Sequence, residues 1–185
     1  MKILIVGPSW VGDAVMAQSL YKIIKNLNPE SKVDVLSPEW ASGVLKRMDQ
    51  INNLIISPFN HGDLKIKARV SFGKSLRGKA YDQAIILTNS LKSSFIPFAA
   101  NIPRRTGWLG EMRYGFINDI RKVNKVHDRL MIEKFSCLSP EPAREDSYEI
   151  PWPSLSVDPL NLSKLLKKYG FDKSSKSIAI CPGAE

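Results

Sequence analysis

The sequence is poor in the residue types that form metal sites and disulfide frameworks. It has only 2 cysteines and 2 histidines among 185 residues. Cys137 and Cys181 lie far apart and match no metal-ligand spacing, and His61 and His127 have no partner at such a spacing either. We therefore expect no metal site, and two cysteines so far apart are typical of reduced thiols in a reducing compartment.

Long apolar runs are missing as well. The longest, such as Phe95–Ala100, are far shorter than the roughly 20 residues that a membrane-spanning helix needs. The apolar run at the N-terminus stops at Val6 and Asp13 follows soon after, which argues against a secretory signal peptide. The sequence thus predicts a cytoplasmic protein that touches a membrane, if at all, only at its surface.

Acidic residues are fewer than basic ones. There are 18 Asp and Glu against 27 Lys and Arg, which gives a formal net charge of +9. Such an excess favours anionic partners, namely nucleic acid, anionic lipid headgroups or phosphorylated substrates. Five basic residues lie in Lys65–Arg77, which we interpret as a solvated basic face able to steer the protein to an anionic membrane. No RNA- or DNA-binding motif accompanies the charge, so no nucleic acid is expected.

The order of predicted elements indicates the fold class. Short β-rich segments alternate with helical patterns, which is typical of a parallel sheet with helices on both faces. The predicted strands are Lys2–Val6, Lys32–Leu36, Asn53–Ile56, Tyr81–Leu87 and Arg104–Gly107. The predicted helices are Ala14–Leu27, Glu39–Met48, Lys65–Arg77, Leu91–Ala100 and Val126–Leu138. We therefore predict an α/β, Rossmann-like domain.

The composition changes after this series of elements. Ser139–Pro153 carries four prolines and Trp152, which predicts a connector between domains. Asp158–Tyr169 then has helical spacing, and Ser177–Cys181 predicts a fresh strand that leads into a Pro-Gly loop. We expect two domains, 1–154 and 155–185, of which the second is only the beginning of a further α/β domain.

The loop after the first predicted strand, Gly7-Pro8-Ser9-Trp10-Val11-Gly12-Asp13, carries the most information. Its two glycines have the spacing of a phosphate-binding GxxxxGK[ST] loop, but Asp13 stands where the lysine should be and would repel a nucleotide. The dinucleotide-binding pattern GxGxxG is absent too. An acid remains at the opening of a helix, at the carboxyl end of a strand, where open α/β folds bind ligands. Position alone leaves two roles open for Asp13, a helix N-terminal contact or a general base.

A set of motifs gives the chain a resemblance to a known family. They are Gly12-Asp13, Thr88–Ser94, Ile102–Trp108, Gly110–Gly115 and Cys181–Glu185. With these motifs in this order, the chain resembles the bacterial heptosyltransferases of the lipopolysaccharide inner core, and most closely the heptosyltransferase II branch. The resemblance implies the N-terminal half of a GT-B glycosyltransferase, in which two Rossmann-like domains face each other across a cleft.

The resemblance also implies a reaction. Such an enzyme transfers L-glycero-D-manno-heptose from ADP-heptose to the first heptose of the Kdo-lipid A core. It inverts the anomeric centre and requires no metal or cofactor. The implied partners are therefore ADP-heptose and heptosyl-Kdo-lipid A, met at the cytoplasmic face of the inner membrane.

Site residues follow from the same resemblance. Asp13 corresponds to the general base that takes the proton of the acceptor hydroxyl. Acceptor contacts are expected from Ser9, Trp10, Gly12, Asn89, Ser90, Lys92, Arg105 and Arg113, and donor contacts from Pro182, Gly183 and Ala184. Structural alternatives stay open, since Asn89 or Ser90 could cap a helix and the arginines could pair with Glu111. Two other functions also stay open, a noncatalytic truncated paralogue and a basic nucleic-acid-binding module.

Overall fold

The structure is a computed structural model of the chain. It describes residues 1–60, 62–122, 130–141 and 149–172, together with residues 174, 176, 178 and 180. The chain divides into two compact units, Met1–Leu155 and Ser156–Glu185. The first unit carries the sheet, and the second contributes a helix near its beginning.

All strands of the sheet run in the same direction. They are β1 Lys2–Val6, β2 Lys32–Ser37, β3 Asn53–Ile56, β4 Gln83–Ile86, β5 Arg104–Trp108 and β6 Asp119–Arg121. Their order across the sheet is β3-β2-β1-β4-β5-β6, and each neighbouring pair is parallel. The sequence predicted the first five. It missed β6, because this strand has three residues, two of them charged, and no apolar run.

The helices of the first unit cover both faces of the sheet. The helices are α1 Val11–Met16, α2 Gln18–Leu27, α3 Ser42–Leu45, α4 Ile66–Ser75, α5 Leu91–Ala99, α6 Met131–Ser136 and, in the second unit, α7 Pro159–Tyr169. On one side of β1, Ile3 and Ile5 pack in a core with α1, α2 and α6. On the other side, Leu4 and Val6 belong to a core that includes Ile96 of α5. The predicted α/β class with helices on both faces is confirmed.

Two predicted helices differ from those in the structure. The helix expected at Ala14–Leu27 begins three residues earlier, because extended Trp10 offers its carbonyl to the Ala14 amide at 2.9 Å. It is also interrupted at Ala17, between α1 and α2. The helix expected at Glu39–Met48 is only a 3-10 turn followed by α3, since the Met48 amide bonds three residues back, to Leu45.

The end of the predicted connector, and the residue that follows it, are bonded to α2. The Gln18 side chain donates to the Ser154 carbonyl at 2.8 Å and accepts from the Ser154 amide at 2.7 Å. Lys22 donates to the Trp152 carbonyl at 2.7 Å. In the second unit, α7 is capped by Asp158, which accepts from two amides of the first turn.

Three further predictions can be tested only in part. Of the helix expected at Val126–Leu138, residues 126–129 lie outside the described residues, and α6 is the part that the structure describes. Most of the strand expected at Ser177–Cys181 also lies outside them. Among the described residues, no helix combines the length and the apolar character needed to cross a bilayer.

Candidate functional site

A cavity of about 840 Å³ opens at the carboxyl edge of the sheet. The chain builds outward from β1 to β3 on one side and from β4 to β6 on the other, so the strand order reverses between β1 and β4. Open α/β sheets bind ligands outside the carboxyl ends of the strands at such a point. The walls of the cavity come from the loops after β1, β3, β4 and β5 and from α6.

The loop after β1 brings Ser9, Trp10 and Asp13 to the cavity. It is held in place by the Trp40 indole, which donates to the Ser9 carbonyl at 2.8 Å. Asp13 lies half-buried in the first turn of α1. Within the part of the chain that the structure describes, no hydrogen bond or ion pair engages its carboxylate. A carboxylate in that state can accept a proton from a bound hydroxyl.

The loop after β4 forms the opposite wall. Asn89, Ser90 and Lys92 all line the cavity. Neither Asn89 nor Ser90 supplies a side-chain cap to α5 among the described contacts; instead the Glu111 carboxylate accepts from the Leu91 amide at 2.6 Å. The capping alternative therefore does not explain these polar side chains. The Lys92 amine has no ion pair within the described residues, so it is available to an anionic ligand.

Both predicted arginines lie outside the cavity lining. Arg105 donates to the carbonyls of Phe116 and Ile102, each at 2.6 Å. Arg113 is 3% exposed and donates to the carbonyls of Thr88 and Trp108 at 2.7 and 2.6 Å. Burial lowers the pKa of both guanidinium groups. The prediction that they contact the acceptor is not supported by this placement, because backbone carbonyls occupy both side chains.

The structure adds cavity residues that the sequence did not single out. Trp108, the last residue of β5, lines the cavity. Met131, Lys134 and Phe135 line it as well, from one face of α6. The spacing of Met131 and Phe135 indicates a shared helix face. Nothing in the sequence places that face at the cavity, because the preceding strand β6 was not predicted. Lys134 gives the cavity a second cation besides Lys92.

Comparison with known proteins identifies the family of this chain. Residues 69–185 match the sequence model of glycosyltransferase family 9 (heptosyltransferase). The chain belongs to this family. It is 44% identical over its whole length to lipopolysaccharide heptosyltransferase 2 of Salmonella typhimurium, and it covers 55% of that protein.

Solved structures of heptosyltransferases show the same fold. The structure of E. coli ADP-heptose lipopolysaccharide heptosyltransferase II matches with a TM-score of 0.89 and 39% identity, over 100% of this chain and 55% of that one. E. coli heptosyltransferase WaaC with ADP matches 84% of this chain and 50% of its own at a TM-score of 0.63 and 20% identity, a likeness of fold alone. This family 9 chain therefore has the fold of the N-terminal half of GT-B heptosyltransferases and spans about half the length of its relatives.

Some predicted features of this family 9 chain lie outside the described residues. They are the expected donor contacts Pro182, Gly183 and Ala184, and both histidines, His61 and His127. Among the residues that are described, no three His, Cys, Asp or Glu side chains come together as metal ligands. Gly12 lies in α1 beside the cavity-lining Asp13, is exposed, and leaves open space where a Cβ would stand.

Proposed function

We propose that this chain is the acceptor-binding half of an ADP-heptose-dependent glycosyltransferase of the lipopolysaccharide core. The reaction transfers L-glycero-D-manno-heptose from ADP-heptose to the first heptose of the Kdo-lipid A core. The chain is 44% identical to lipopolysaccharide heptosyltransferase 2. Within this chain, one structural observation carries the proposal. The Asp13 carboxylate lines a large cavity at the strand-order reversal, with no described partner of its own.

Asp13 acts as the general base in the proposed reaction. A sugar hydroxyl is a weak nucleophile until its proton has a destination, and a carboxylate within hydrogen-bond reach provides one. As the proton passes to Asp13, the hydroxyl oxygen forms a bond to the anomeric carbon of the heptose. The bond from that carbon to the diphosphate oxygen breaks, and ADP leaves with the electron pair. Attack from the face opposite the leaving group inverts the anomeric centre.

The acceptor binds through the opposite wall and α6. Asn89, Ser9 and Ser90 offer amide and hydroxyl groups to sugar hydroxyls, and the amines of Lys92 and Lys134 attract the negative groups of the Kdo-lipid A core. The donor binds in the second half found in its relatives, and Pro182, Gly183 and Ala184 are the residues of this chain expected to contact it. This assignment gives the two units different substrates, and it requires no metal or other cofactor.

The exposed face of α4 approaches the membrane that holds the acceptor. Lys67 and Lys74 are exposed on this helix, and the helix carries no acidic residue. Leu64, just before the helix, is 56% exposed and also lines the cavity. A basic surface beside the mouth of the cavity suits an anionic lipid surface. We therefore place the protein in the cytoplasm, in peripheral contact with the inner membrane.

Calorimetric titration of the 185-residue chain tests the proposal directly. A heptosyl-Kdo-lipid A analogue and ADP-heptose are titrated separately, with Kdo-lipid A lacking the heptose as the matched control ligand. We expect the heptosylated acceptor to bind, and ADP-heptose to bind far more weakly or not at all. Binding of neither acceptor form, in this chain and in one continued through the second half found in its relatives, would overturn the proposal.

A further inference from the structure

We propose that Arg113 is a positioning residue. It holds the loop after β4 in the place where this loop forms one wall of the cavity. It acts from behind this wall and does not touch the ligand. What the wall binds rests on the proposed function, but the positioning itself rests on contacts within the chain. The proposal gives a role to a buried charge that the general-base chemistry does not use.

The contacts of Arg113 join two strands where they end. One terminal nitrogen of the guanidinium donates to the Thr88 carbonyl at 2.7 Å, and the other donates to the Trp108 carbonyl at 2.6 Å. Thr88 lies two residues beyond Ile86, the last residue of β4, and Trp108 is the last residue of β5. Both Thr88 and Trp108 line the cavity. A single side chain therefore fixes the distance between two parts of its wall.

The loop that carries Arg113 makes a second attachment to the same wall. Two residues earlier, the Glu111 carboxylate accepts from the Leu91 amide at 2.6 Å, at the start of α5. Leu91 lies between Ser90 and Lys92, so this bond helps to fix both cavity residues. Arg113 and Glu111 thus hold successive parts of the loop after β4, one at its beginning and the other at its end.

The backbone of this loop is in an unfavourable conformation, which indicates that its contacts maintain it. Glu111 and Met112 have φ values of 41° and 47°, in the left-handed region that non-glycine residues rarely adopt. Such residues persist where the surrounding structure determines their conformation. The Met112 side chain is 85% exposed, so its packing does not maintain the unfavourable backbone conformation. The turn is held by the side-chain contacts of Glu111 and Arg113, together with a hydrogen bond from the Arg113 amide to the Gly110 carbonyl at 3.3 Å.

An arginine suits this position better than other residues do. The planar guanidinium presents nitrogens in a fixed fork, so one side chain can reach two carbonyls at once. A lysine has one amine on a flexible stem and cannot reproduce this geometry. Burial is unfavourable for the charge and lowers the pKa of Arg113, although Glu111 nearby raises it in part. The two hydrogen bonds to backbone carbonyls offset this cost of burying the guanidinium.

Substitution of Arg113, with Arg105 as the matched control, tests the proposal. Both arginines are bonded to backbone carbonyls, but the carbonyls bonded to Arg105 lie away from the cavity. The variants are Arg113→Met, Arg113→Lys and Arg105→Met, each checked for folding by circular dichroism and thermal unfolding. Hydrogen exchange of the Leu91 amide reports on the wall, and calorimetry reports on the affinity for the heptosyl-Kdo-lipid A analogue.

We expect Arg113→Met to accelerate exchange at Leu91 and to displace the wall. Acceptor binding should weaken by about tenfold, as if one hydrogen bond between the displaced wall and a charged group of the acceptor were lost. Arg113→Lys should recover part of the affinity. Arg105→Met should lower the unfolding temperature but change neither readout by more than about twofold. If Arg113→Met fails to fold, the Lys variant carries the test, with an intermediate loss expected.

A folded Arg113→Met chain with unchanged Leu91 exchange and unchanged acceptor affinity would overturn the proposal. So would equal effects of the Arg113 and Arg105 substitutions, because these would indicate a general loss of stability. If the unsubstituted chain binds no acceptor, the proposed function fails. The exchange at Leu91 then decides the positioning role alone, so the two failures can be distinguished.

Discussion

The loops after β1 and β4 differ from the loop after β5 in how their charged side chains are engaged. Asp13 and Lys92 line the cavity and have no hydrogen bond or ion pair among the described residues. Glu111 and Arg113, at the same edge of the sheet, are bonded to backbone amides and carbonyls. The difference shows that residue type and sheet edge do not define a binding residue. A charge without a protein partner is available to a ligand, and a charge with partners shapes the site.

Removing the charge of Asp13 gives the largest effect expected from this comparison. Asp13→Asn keeps the size of the side chain but removes the proton acceptor, so turnover should fall by about 10²- to 10⁴-fold. The measurement is ADP release from ADP-heptose, made on the protein continued through the second half found in its relatives. Acceptor affinity and unfolding temperature should stay unchanged.

Asp49→Asn is the matched control, since Asp49 is exposed and lies away from the cavity. It should leave turnover as it is. Near-native turnover of the Asp13→Asn protein would refute the role of Asp13 as a base.

The β5–β6 region offers a test of charges that are bonded within the protein. Burial tends to raise the pKa of Asp119, but hydrogen bonds from Arg121, Thr106 and Arg104 outweigh it and lower the pKa from 3.8 to about 2. A carboxyl group whose pKa is lower in the folded state stabilises the fold at pH values above its pKa in the unfolded state. This contribution, at most about 2 kcal/mol, is lost as the pH falls from about 4 towards 2.

Urea unfolding at pH 7, 4 and 2.5 measures this contribution. We expect the chain to lose stability between pH 4 and 2.5, and Asp119→Asn to lose about 1 kcal/mol less over the same interval. The comparison between the two proteins cancels the contribution of other acids. Equal pH dependence of the two would show that Asp119 is not held by its partners as described.

Lys92→Met sharpens the comparison on the cavity side. Loss of the amine should weaken binding of the heptosyl-Kdo-lipid A analogue by about tenfold, because a hydrogen bond from a charged donor is lost. Thermal unfolding should change little, since no described ion pair is broken. Lys74→Met, the same substitution on the exposed face of α4, should leave affinity for the soluble analogue unchanged. Equal losses would indicate a general effect of net charge instead of contact with Lys92.

The sequence predicted the sheet well because buried parallel strands have continuous apolar runs, as in Ala84-Ile85-Ile86 of β4. The same rule explains the failure at β6, which is short and charged. Without β6, the sequence could not place α6 at the edge of the sheet. The sequence therefore contained no indication that Lys134 lines the cavity.

Site residues were predicted less evenly than strands. Ser9, Asp13 and Lys92 reach the cavity because each follows a strand whose carboxyl end was predicted to within one residue. The direction of Arg113 depends instead on a turn with positive φ at Glu111 and Met112. Neither residue is a glycine, so the sequence gives no sign of that turn. Sequence alone therefore cannot distinguish an arginine that binds a ligand from one that binds carbonyls.

The smallest effect is expected from a methyl group added beside Asp13. A Cβ at Gly12 would meet nothing within 4 Å, and alanine favours helix over glycine, so Gly12→Ala should fold at least as stably as the original chain. Any change in acceptor affinity then reports a ligand that passes close to the first turn of α1. We expect a loss of about two- to fivefold, which corresponds to less than 1 kcal/mol.

Gly43→Ala is the matched control, because Gly43 is also helical, is equally open and lies outside the cavity lining. It should leave acceptor affinity unchanged. If Gly12→Ala binds the acceptor as tightly as Gly43→Ala does, the acceptor does not reach the first turn of α1. Its hydroxyl would then be too far from Asp13 for direct proton transfer, and the base would have to act through a water molecule or be another group.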